Sequence, residues 1–370
     1  MRLCGRSLAL RLLHFADLHL DRSFAPQRLF GVAAQRRRED LRAALQRILE
    51  RADHEQVDLI TCAGDLFEHD HITRETALFL AQTLGQTSRP VLIAPGHSDP
   101  ATASSPYRYL RWPANVTVAT HEDLRPYVYG GVSVWAAGFN PANTSETPLA
   151  ATPSLGDGAH LLLLHASDMH TVPDGVTPVA PIVQAQVEQA GFRHALLGHY
   201  HNAMSQGLLT YPGSPEPLGW DETGRHCVAF VTVADDRNLS VDLQDINHRR
   251  FVEETLDVTG MTSREQVRDA MLAARESRHL DGAVLRTRLV GERTQSLDLD
   301  PRALALECND GFAHLEFLDE TRRIHDLEAV GSEFTSRGEM VRQLQAHRGD
   351  AEKDETVGRA LQLALDAFEP

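Results

Sequence analysis

The stretch LLHFADLHLD at residues 12–21 decides the fold and locates the chemistry. It predicts a short apolar strand that ends in an Asp-x-His pair, Asp17 and His19. Residues two apart in an extended chain point to the same side, so both side chains can face one point just beyond the strand. A carboxylate and an imidazole that converge in this way suit a divalent transition metal. Because such a pair is common by chance, the interpretation depends on matching ligands elsewhere in the chain.

Length and composition predict a globular protein with two domains. The chain has 370 residues, of which 42% are hydrophobic and 24% charged, as is typical of a soluble fold. No apolar run approaches the roughly 20 residues that a membrane helix requires, so we expect no membrane partner. The four cysteines are far apart and form no Cys-x-x-Cys pair. This spacing favours a reducing cytoplasm over a disulfide framework or a structural zinc site.

The charge balance limits the kinds of partner. The net charge is −16 at pH 7, which opposes non-specific attraction to a polyanion. A role on nucleic acid would therefore depend on local basic patches and on bound metal. Arg36, Arg37 and Arg38 are one candidate patch, although a solvated helix face is the commoner explanation for such a run.

Strand-like segments alternate with helical patterns through the first part of the chain, a rhythm that predicts parallel βαβ units. A hairpin is expected to turn at Gly130-Gly131, and a helix over residues 179–190 to end at Gly191. The other predicted segments are strands near 8–15, 57–63, 90–94, 160–164, 194–197, 204–211, 227–234 and 239–243, and helices near 36–52 and 73–85.

The character of the sequence changes after about residue 247. The pattern there predicts a second, smaller α+β domain that carries no cluster of metal-type residues. The last two predicted helices are polar. Leu361, Leu365 and Phe368 form an apolar stripe on the second of them, which can pack against the rest of the chain or against a partner. The predicted segments are helices near 263–275, 301–308, 333–347 and 352–368, and strands near 283–291 and 313–318.

Five of the predicted strands end in polar side chains of the metal-binding type. Sites in α/β sheets form at the carboxyl ends of strands, so these side chains can meet at one edge. They are enough for two adjacent metals, with Asp65 as the natural bridging carboxylate. Mixed oxygen and nitrogen ligands favour manganese, iron or zinc over calcium. The candidate metal ligands are Asp17, His19, Asp65, His97, His165, His199 and His201.

The order Asp-x-His, Gly-Asp, Gly-x-x-Asp, His, Gly-x-His resembles the calcineurin-like metallophosphoesterase family. The resemblance implies an α/β sandwich of two packed sheets flanked by helices, with a small C-terminal α+β capping domain. It also implies a two-metal hydrolysis, in which ions about 3.5–4 Å apart clamp the attacking and leaving oxygens. One ion would be held by Asp17, His19, Asp65 and His201, and the other by Asp65, residue 97, His165 and His199.

Four phrases are further similar to the SbcD-like branch, whose members are DNA-repair exonucleases. They are ADLHLD at 16–21, AGDLF at 63–67, LGHYH at 197–201 and YPGSP at 211–215, and VLRTRLVG at 284–291 resembles that branch's capping domain. The resemblance implies a metallophosphoesterase domain over residues 1–246, a capping domain over 247–330 and partner-docking helices over 331–370. It implies two divalent ions, with Mn²⁺ favoured over Fe²⁺ and Zn²⁺. The expected partners are DNA, an SbcC-like ATPase and a second copy of the chain.

The third motif departs from the family. Where the family has Gly-Asn-His-Asp, this chain has Gly96-His97-Ser98-Asp99. In one alignment His97 replaces the Asn ligand and Ser98 replaces the catalytic His; in the other, His97 is the catalytic residue and one ligand is missing. We favour the first because it needs no gap. His97 is therefore a candidate both as ligand and as general acid, and losing a positioned general acid typically costs on the order of 10²–10⁴-fold in rate.

Two alternatives to a DNA exonuclease stay open at this point. The acidic net charge favours a small-molecule phosphodiesterase or phosphatase, although the YPGSP segment and the capping domain disfavour it. The altered third motif instead favours a catalytically weakened subunit that binds DNA ends or an ATPase.

Overall fold

Two six-stranded sheets form the first part of the chain. The structure is a computed structural model that describes residues 10–139, 141, 145–151, 154–234, 238–294, 297–347 and 351–368, with the backbone alone for 351–353. The chain divides into two compact units, of which the first ends at Arg250 and the second begins at Phe251. Within these described ranges, no helix is long and apolar enough to cross a bilayer.

The first sheet has a parallel centre with antiparallel strands at one edge. Its strand order is β12-β11-β1-β2-β3-β4, and the pairs from β1 to β4 are parallel. The strands are β1 (Leu10–Phe15), β2 (Leu59–Cys62), β3 (Val91–Ile93), β4 (Val116–Val118), β11 (Cys227–Val233) and β12 (Leu239–Asp245).

Three helices connect the strands of this sheet, as the βαβ rhythm predicted. They are α1 (Gly31–His54), α2 (Arg74–Leu84) and the short α3 (Pro106–Tyr109). Leu41, Leu45 and Ile48 give α1 a fully buried stripe at helical spacing. The hydroxyl of Thr73 accepts a 3.1 Å hydrogen bond from the amide of Thr76 and so caps the start of α2.

The second sheet has the order β5-β6-β7-β8-β10-β9, with parallel pairing from β6 through β10. The predicted hairpin is confirmed as the antiparallel pair β5 and β6, which turns at Gly130 and Gly131. The strands are β5 (Arg125–Tyr129), β6 (Val132–Ala136), β7 (Ala159–His165), β8 (His194–Gly198), β9 (Met204–Gln206) and β10 (Leu209–Tyr211), with α4 (Gln184–Gln189) before β8.

The core of this unit lies between the two sheets. Leu12, Leu59 and Leu92 of the first sheet cluster with Leu161 and Leu196 of the second, and all five are fully buried. Burying a leucine side chain contributes roughly 1.5–3 kcal/mol, so this layer fixes the two sheets against each other. The sandwich predicted from the motifs is therefore the observed architecture.

The second unit contains a small parallel sheet in the order β13-β14-β16. Two helices share its core, in which Val267, Met271, Leu285 and Leu304 are buried. The elements are β13 (Phe251–Asp257), α5 (Arg264–Ser277), β14 (Val284–Val290), β15 (Glu292–Arg293), α6 (Pro301–Cys308), β16 (His314–Asp319) and β17 (Arg322–Arg323).

Three helices end the described chain: α7 (Leu327–Gly331), α8 (Ser336–Gln345) and α9 (Ala351–Asp366). Leu361 and Leu365, from the apolar stripe expected of the last helix, are buried in a cluster with Val330 and Val341. The stripe is thus largely used within the chain, whereas Phe368 is half exposed. The predicted break between the last two helices, residues 348–350, lies outside the described residues.

Three sequence interpretations need correction. The helix expected over 179–190 is confined to α4, because Ile182 and its neighbours instead pair with residues 167–169 as extended chain. The strand β13 was not predicted, since its alternating polar residues hide its apolar face. Arg37 is buried, and its guanidinium contacts Asp40 and the carbonyl of Pro217, so it cannot belong to a phosphate-binding patch.

Candidate metal centre

Left-handed backbone conformations mark the ends of the strands that carry the predicted ligands. Asp17, His19, Asp65 and His199 have φ values of 57°, 51°, 52° and 104°. Such conformations cost of order 1–3 kcal/mol each for a residue other than glycine, and they concentrate at functional sites. Hydrogen bonds hold two of the turns side by side, because the amide of Asp17 donates to Gly64 at 3.0 Å and that of His19 to Asp65 at 2.8 Å.

Glycine at position 96 allows the strand ends to approach closely. A methyl group there would collide with the Asp65 carboxylate and with the His165 ring. The Gly-x-x-Asp motif therefore begins with glycine because a side chain would occupy the place where the ligands converge.

Asp17, His19 and His201 form the first ligand group, with one ligand atom from each lying within 4.8 Å of the others. His19 donates from Nδ1 to Glu68 at 2.9 Å, and His201 donates from Nδ1 to Glu222 at 2.6 Å. Since a carboxylate can only accept, it fixes a hydrogen on Nδ1 of each ring, and Nε2 is the nitrogen that is left to bind a metal ion. These two Nε2 atoms lie 3.3 Å apart and face each other. Two ring nitrogens that face each other at this distance can bind a proton or a metal ion between them.

His97, His165 and His199 form the second group. His165 donates from Nδ1 to the carbonyl of Ala63 at 2.9 Å, which leaves its Nε2 as an acceptor 2.8 Å from Nδ1 of His97. His199 donates from Nε2 to the carbonyl of Thr177 at 3.1 Å. Its Nδ1 is buried and has no hydrogen-bond partner among the residues that the structure describes. An orphaned buried nitrogen beside two other imidazoles fits a metal ligand.

Asp65 lies between the two groups. One carboxylate oxygen, Oδ2, is 3.4 Å from His19 Nε2 and 3.0 Å from His97 Nδ1, while Oδ1 is 3.6 Å from His165 Nε2. Ser98 donates to the same carboxylate from its amide at 2.9 Å and from its hydroxyl at 2.8 Å. Asp65 therefore contacts both groups, as a bridging carboxylate must.

The protonation equilibria of the ring nitrogens follow from these surroundings. Burial lowers the pKa of His165 to about 3 and that of His199 to about 4, so both rings are neutral ligands at pH 7. Burial also disfavours charge on His201, but the carboxylate of Glu222 outweighs it and raises the pKa of His201 to about 9. The paired imidazole correspondingly lowers the pKa of Glu222 to about 2 against the effect of burial. The surroundings of His201 thus favour positive charge at its ring, which a proton or a metal ion at Nε2 can supply.

Asp99 organises the third motif through hydrogen bonds to backbone amides. Its carboxylate accepts hydrogen bonds from the amides of Asp65, Leu66 and Gly96 at 2.9, 2.8 and 2.6 Å, and from the hydroxyl of Tyr107 at 2.6 Å. This arrangement ties the ends of β2 and β3 together.

A cavity of about 240 Å³ lies next to the second group. Phe139 and His165 line one side of it, and Glu122, Asp123 and Glu146 contribute carboxyl groups. The Phe139 ring also packs edge-on against His97, with ring centroids 6.2 Å apart. The cavity could therefore receive part of a substrate whose phosphate group binds at the metal ligands.

All seven predicted ligands lie in this one cluster, and none is placed elsewhere. The sequence interpretation missed the residues behind the ligands. Glu68 follows Asp65 by three positions and could have been noticed, but Glu222 lies 21 residues after His201 in a loop and has no spacing signal. The donor set of two carboxylates and five imidazoles, with its orphaned and facing nitrogens, fits divalent transition metals.

Comparison with protein families assigns the chain to the phosphoesterases. The model of the family described as calcineurin-like phosphoesterase matches residues 10–203, just over half of the 370-residue chain. The chain belongs to this family, which confirms the membership that its motifs predicted. The family uses divalent metals, and the Asp and His groups described above are where this chain could hold them.

The sequence identity between this chain and individual relatives is low. The chain is 25% identical over 268 residues to the uncharacterized metallophosphoesterase YhaO of Bacillus subtilis (strain 168), covering 68% of this chain and 64% of that protein. It is also 24% identical to the DNA double-strand break repair protein Mre11 of Methanopyrus kandleri. That alignment, with its gaps, is 387 positions long and covers 96% of this chain and 82% of that protein. Among solved structures it is similar to the TT1561 protein of Thermus thermophilus, with a TM-score of 0.39 and 15% identity over 64% of this chain and 99% of that one.

Proposed function

We propose that this chain is a two-metal phosphodiesterase that acts on DNA, a repair exonuclease of the SbcD-like branch. The observation that carries the proposal is the convergence of seven Asp and His side chains, with Asp65 between the two groups and with ring nitrogens facing inward. Asp17, His19, Asp65 and His201 would hold one ion, and Asp65, His97, His165 and His199 the other. We favour Mn²⁺, with Fe²⁺ and Zn²⁺ as alternatives.

Two divalent ions, when bound, would stabilise charge on the phosphoryl oxygens and activate water at neutral pH. The protein's own part is to fix their ligands. Glu68 and Glu222 orient His19 and His201 and hold the protonated Nδ1 of each ring away from the site. Ser98 orients Asp65 through two hydrogen bonds. A rigid set of ligands would hold the ions in place, so that they could stabilise the developing negative charge without reorganisation during the reaction.

We place His97 among the ligands rather than in the role of general acid. Its Nδ1 lies within 3.0 Å of both Asp65 and His165, at the centre of the cluster. Ser98 then occupies the position of the family's catalytic histidine, but its hydroxyl donates to Asp65 and cannot replace an imidazole as general acid. The leaving oxygen would therefore take its proton from water, and turnover would be slower by the factor that a general acid supplies.

DNA is the proposed substrate because the distant similarity to an Mre11 protein extends over 96% of this chain, beyond the phosphoesterase region. The SbcD-like phrases support the same class of substrate. The net charge of −16 opposes long-range attraction to DNA, so binding would depend on the metals and on local contacts. An SbcC-like ATPase and a second copy of the chain stay predicted partners.

A small-molecule phosphodiesterase is the second candidate. The observation that favours it is the 240 Å³ cavity beside His165. The carboxyl groups that line this cavity would repel a polyanion but accept hydrogen bonds from a small neutral or cationic group.

The third candidate is a catalytically weakened subunit that binds DNA ends or an ATPase. The observation that favours it is that Ser98 stands where the family has its catalytic histidine.

The test is to assay the full chain with Mn²⁺ on end-labelled single- and double-stranded DNA and on a nitrophenyl phosphodiester, beside Asp65→Ala. DNA shortening that depends on Asp65 supports the nuclease. Cleavage of the small ester alone supports the second candidate and overturns the DNA proposal. Equal inertness of both proteins, with retained DNA binding, overturns the enzyme proposal in favour of the third.

A further inference from the structure

We propose that the two metal positions are chemically unequal, and that His97 makes the second position selective for Zn²⁺ while the first retains Mn²⁺. The inference rests on the proposed two-metal site but not on the identity of the substrate. We call the proposed site of Asp17, His19, Asp65 and His201 the first position, and that of Asp65, His97, His165 and His199 the second position.

The donor atoms differ between the positions. The first has two carboxylates and two imidazoles, whereas the second has one carboxylate and three imidazoles. Imidazole nitrogen suits zinc and similar metals, while carboxylate oxygen suits manganese, magnesium and calcium. In the general order of affinities for divalent first-row metals Mn²⁺ binds most weakly, and imidazole ligands add a preference for Zn²⁺ to that order. Zn²⁺ should therefore displace Mn²⁺ from the second position first.

The groups behind the ligands strengthen the difference. In the first position, His19 and His201 are both backed by carboxylates, Glu68 and Glu222. These carboxylates add negative charge that attracts any dication, whatever its preference for nitrogen. In the second position, His165 and His199 are backed by neutral carbonyl oxygens, of Ala63 and Thr177. Selectivity there depends on the ligand atoms themselves rather than on nearby charge.

His97 is the residue that sets this selectivity. The family resemblance implies an asparagine at this place, whose amide oxygen is a donor of the type that manganese prefers. In this chain the ring nitrogen Nδ1 of His97 lies 2.8 Å from Nε2 of His165, and the orphaned Nδ1 of His199 belongs to the same group. Replacing one amide oxygen by nitrogen changes the second position from a mixed to a nitrogen-rich site.

The experiment uses the full-length protein, stripped with a chelator and loaded with two equivalents of Mn²⁺. Zn²⁺ is added stepwise, bound metals are counted by mass spectrometry after desalting, and the Mn²⁺ electron paramagnetic resonance spectrum is recorded. We expect the first equivalent of Zn²⁺ to displace one Mn²⁺ and to convert the spin-coupled pair into an isolated Mn²⁺ signal. The second Mn²⁺ should leave only at Zn²⁺ concentrations at least about 10-fold higher, the lower end of what changes around a metal site cause.

His97→Asn is the decisive variant, and His121→Asn, at an exposed position outside the ligand groups, is its matched control. We expect His97→Asn to lose the stepwise exchange, so that both Mn²⁺ ions leave over the same range of Zn²⁺, with an unchanged melting temperature as a check on folding. His121→Asn should behave as wild type. Simultaneous loss of both ions from the wild type, or stepwise loss from His97→Asn, overturns the selectivity but leaves the proposed function standing. Binding of fewer than two ions by the wild type overturns both.

Discussion

The Nε2 atoms of His19 and His201 lie 3.3 Å apart, and each ring is held from behind by a carboxylate, Glu68 and Glu222. The carboxylates fix a hydrogen on each Nδ1, so the Nε2 atoms are the nitrogens that face each other. Such an arrangement is repulsive unless a proton or a cation lies between the rings. The pair is therefore arranged to hold a proton or a metal ion between its Nε2 atoms.

Glu222→Gln should weaken metal binding. The amide still accepts a hydrogen bond from His201, but it no longer supplies the negative charge that favours a cation at the other ring nitrogen. We expect the affinity for Mn²⁺, measured by isothermal titration calorimetry, to fall by about 10–100-fold. Glu75→Gln, at an exposed position, is the control. An unchanged affinity in Glu222→Gln would show that this carboxylate does not act on the site.

Restoring the family's third motif should accelerate turnover. In the double variant His97→Asn with Ser98→His, an amide again takes the ligand position and an imidazole the position of the general acid. We expect turnover of a nitrophenyl phosphodiester or labelled DNA to rise by on the order of 10²-fold or more. The single variant Ser98→Ala removes the hydroxyl contact to Asp65 without adding an imidazole, so it shows the effect of losing that contact alone. If the double variant is no faster than wild type, Ser98 does not replace the general acid.

Asp99→Ala should destabilise the first unit. The substitution leaves three backbone amides and the Tyr107 hydroxyl buried without their acceptor. Each of these four groups costs about 1–3 kcal/mol when it is unsatisfied, so we expect the free energy of unfolding to fall by at least about 4 kcal/mol in urea titrations. Asp123→Ala, at an exposed position, should change stability little. Comparable stability of the two variants would contradict the role assigned to Asp99.

Stability should also fall in mild acid because of His14. Burial lowers the pKa of this imidazole from 6.5 to about 4, while its two nitrogens contact the Thr61 hydroxyl and the Leu197 carbonyl. The unfolded chain therefore takes up a proton near pH 6.5 and the folded chain only near pH 4. The stabilisation is complete above pH 6.5 and is lost as the pH falls towards 4.

The measurement is urea unfolding of wild type and His14→Gln at pH 7.5 and pH 5.0. Between these values, wild type should lose about 2 kcal/mol more than the variant. His121→Gln, with an exposed imidazole, should follow wild type. Equal losses in wild type and His14→Gln would mean that His14 titrates normally in the folded chain.

The strands and the ligand cluster were predictable because each apolar run is short, continuous and directly followed by its polar residues. The run at residues 57–63 with Asp65 is the simplest case, and β2 ends three residues before that aspartate. Parallel strands in one sheet bring such ends to the same edge, so the order of the motifs along the chain is enough to predict the cluster.

What the sequence could not provide depends on contacts between residues far apart in the chain. Glu222 reaches His201 from a loop, and Thr177 reaches His199 through a backbone carbonyl that any residue type would supply. The extended segment before α4 was also hidden, because its apolar residues fit helical spacing until the pairing of Ile182 with residues 167–169 overrides that preference. Local pattern fixes which side chains approach the site, but not what lies behind them.

The most direct test of the central claim is Mn²⁺-dependent hydrolysis of end-labelled DNA by wild type and Asp65→Ala. Asp65 contacts both ligand groups, so its removal should abolish both metal positions at once. We predict that wild type shortens the DNA when Mn²⁺ is present, that a chelator stops the reaction, and that Asp65→Ala is inactive under the same conditions. Hydrolysis by Asp65→Ala at the wild-type rate, or by wild type in excess chelator, would contradict the account.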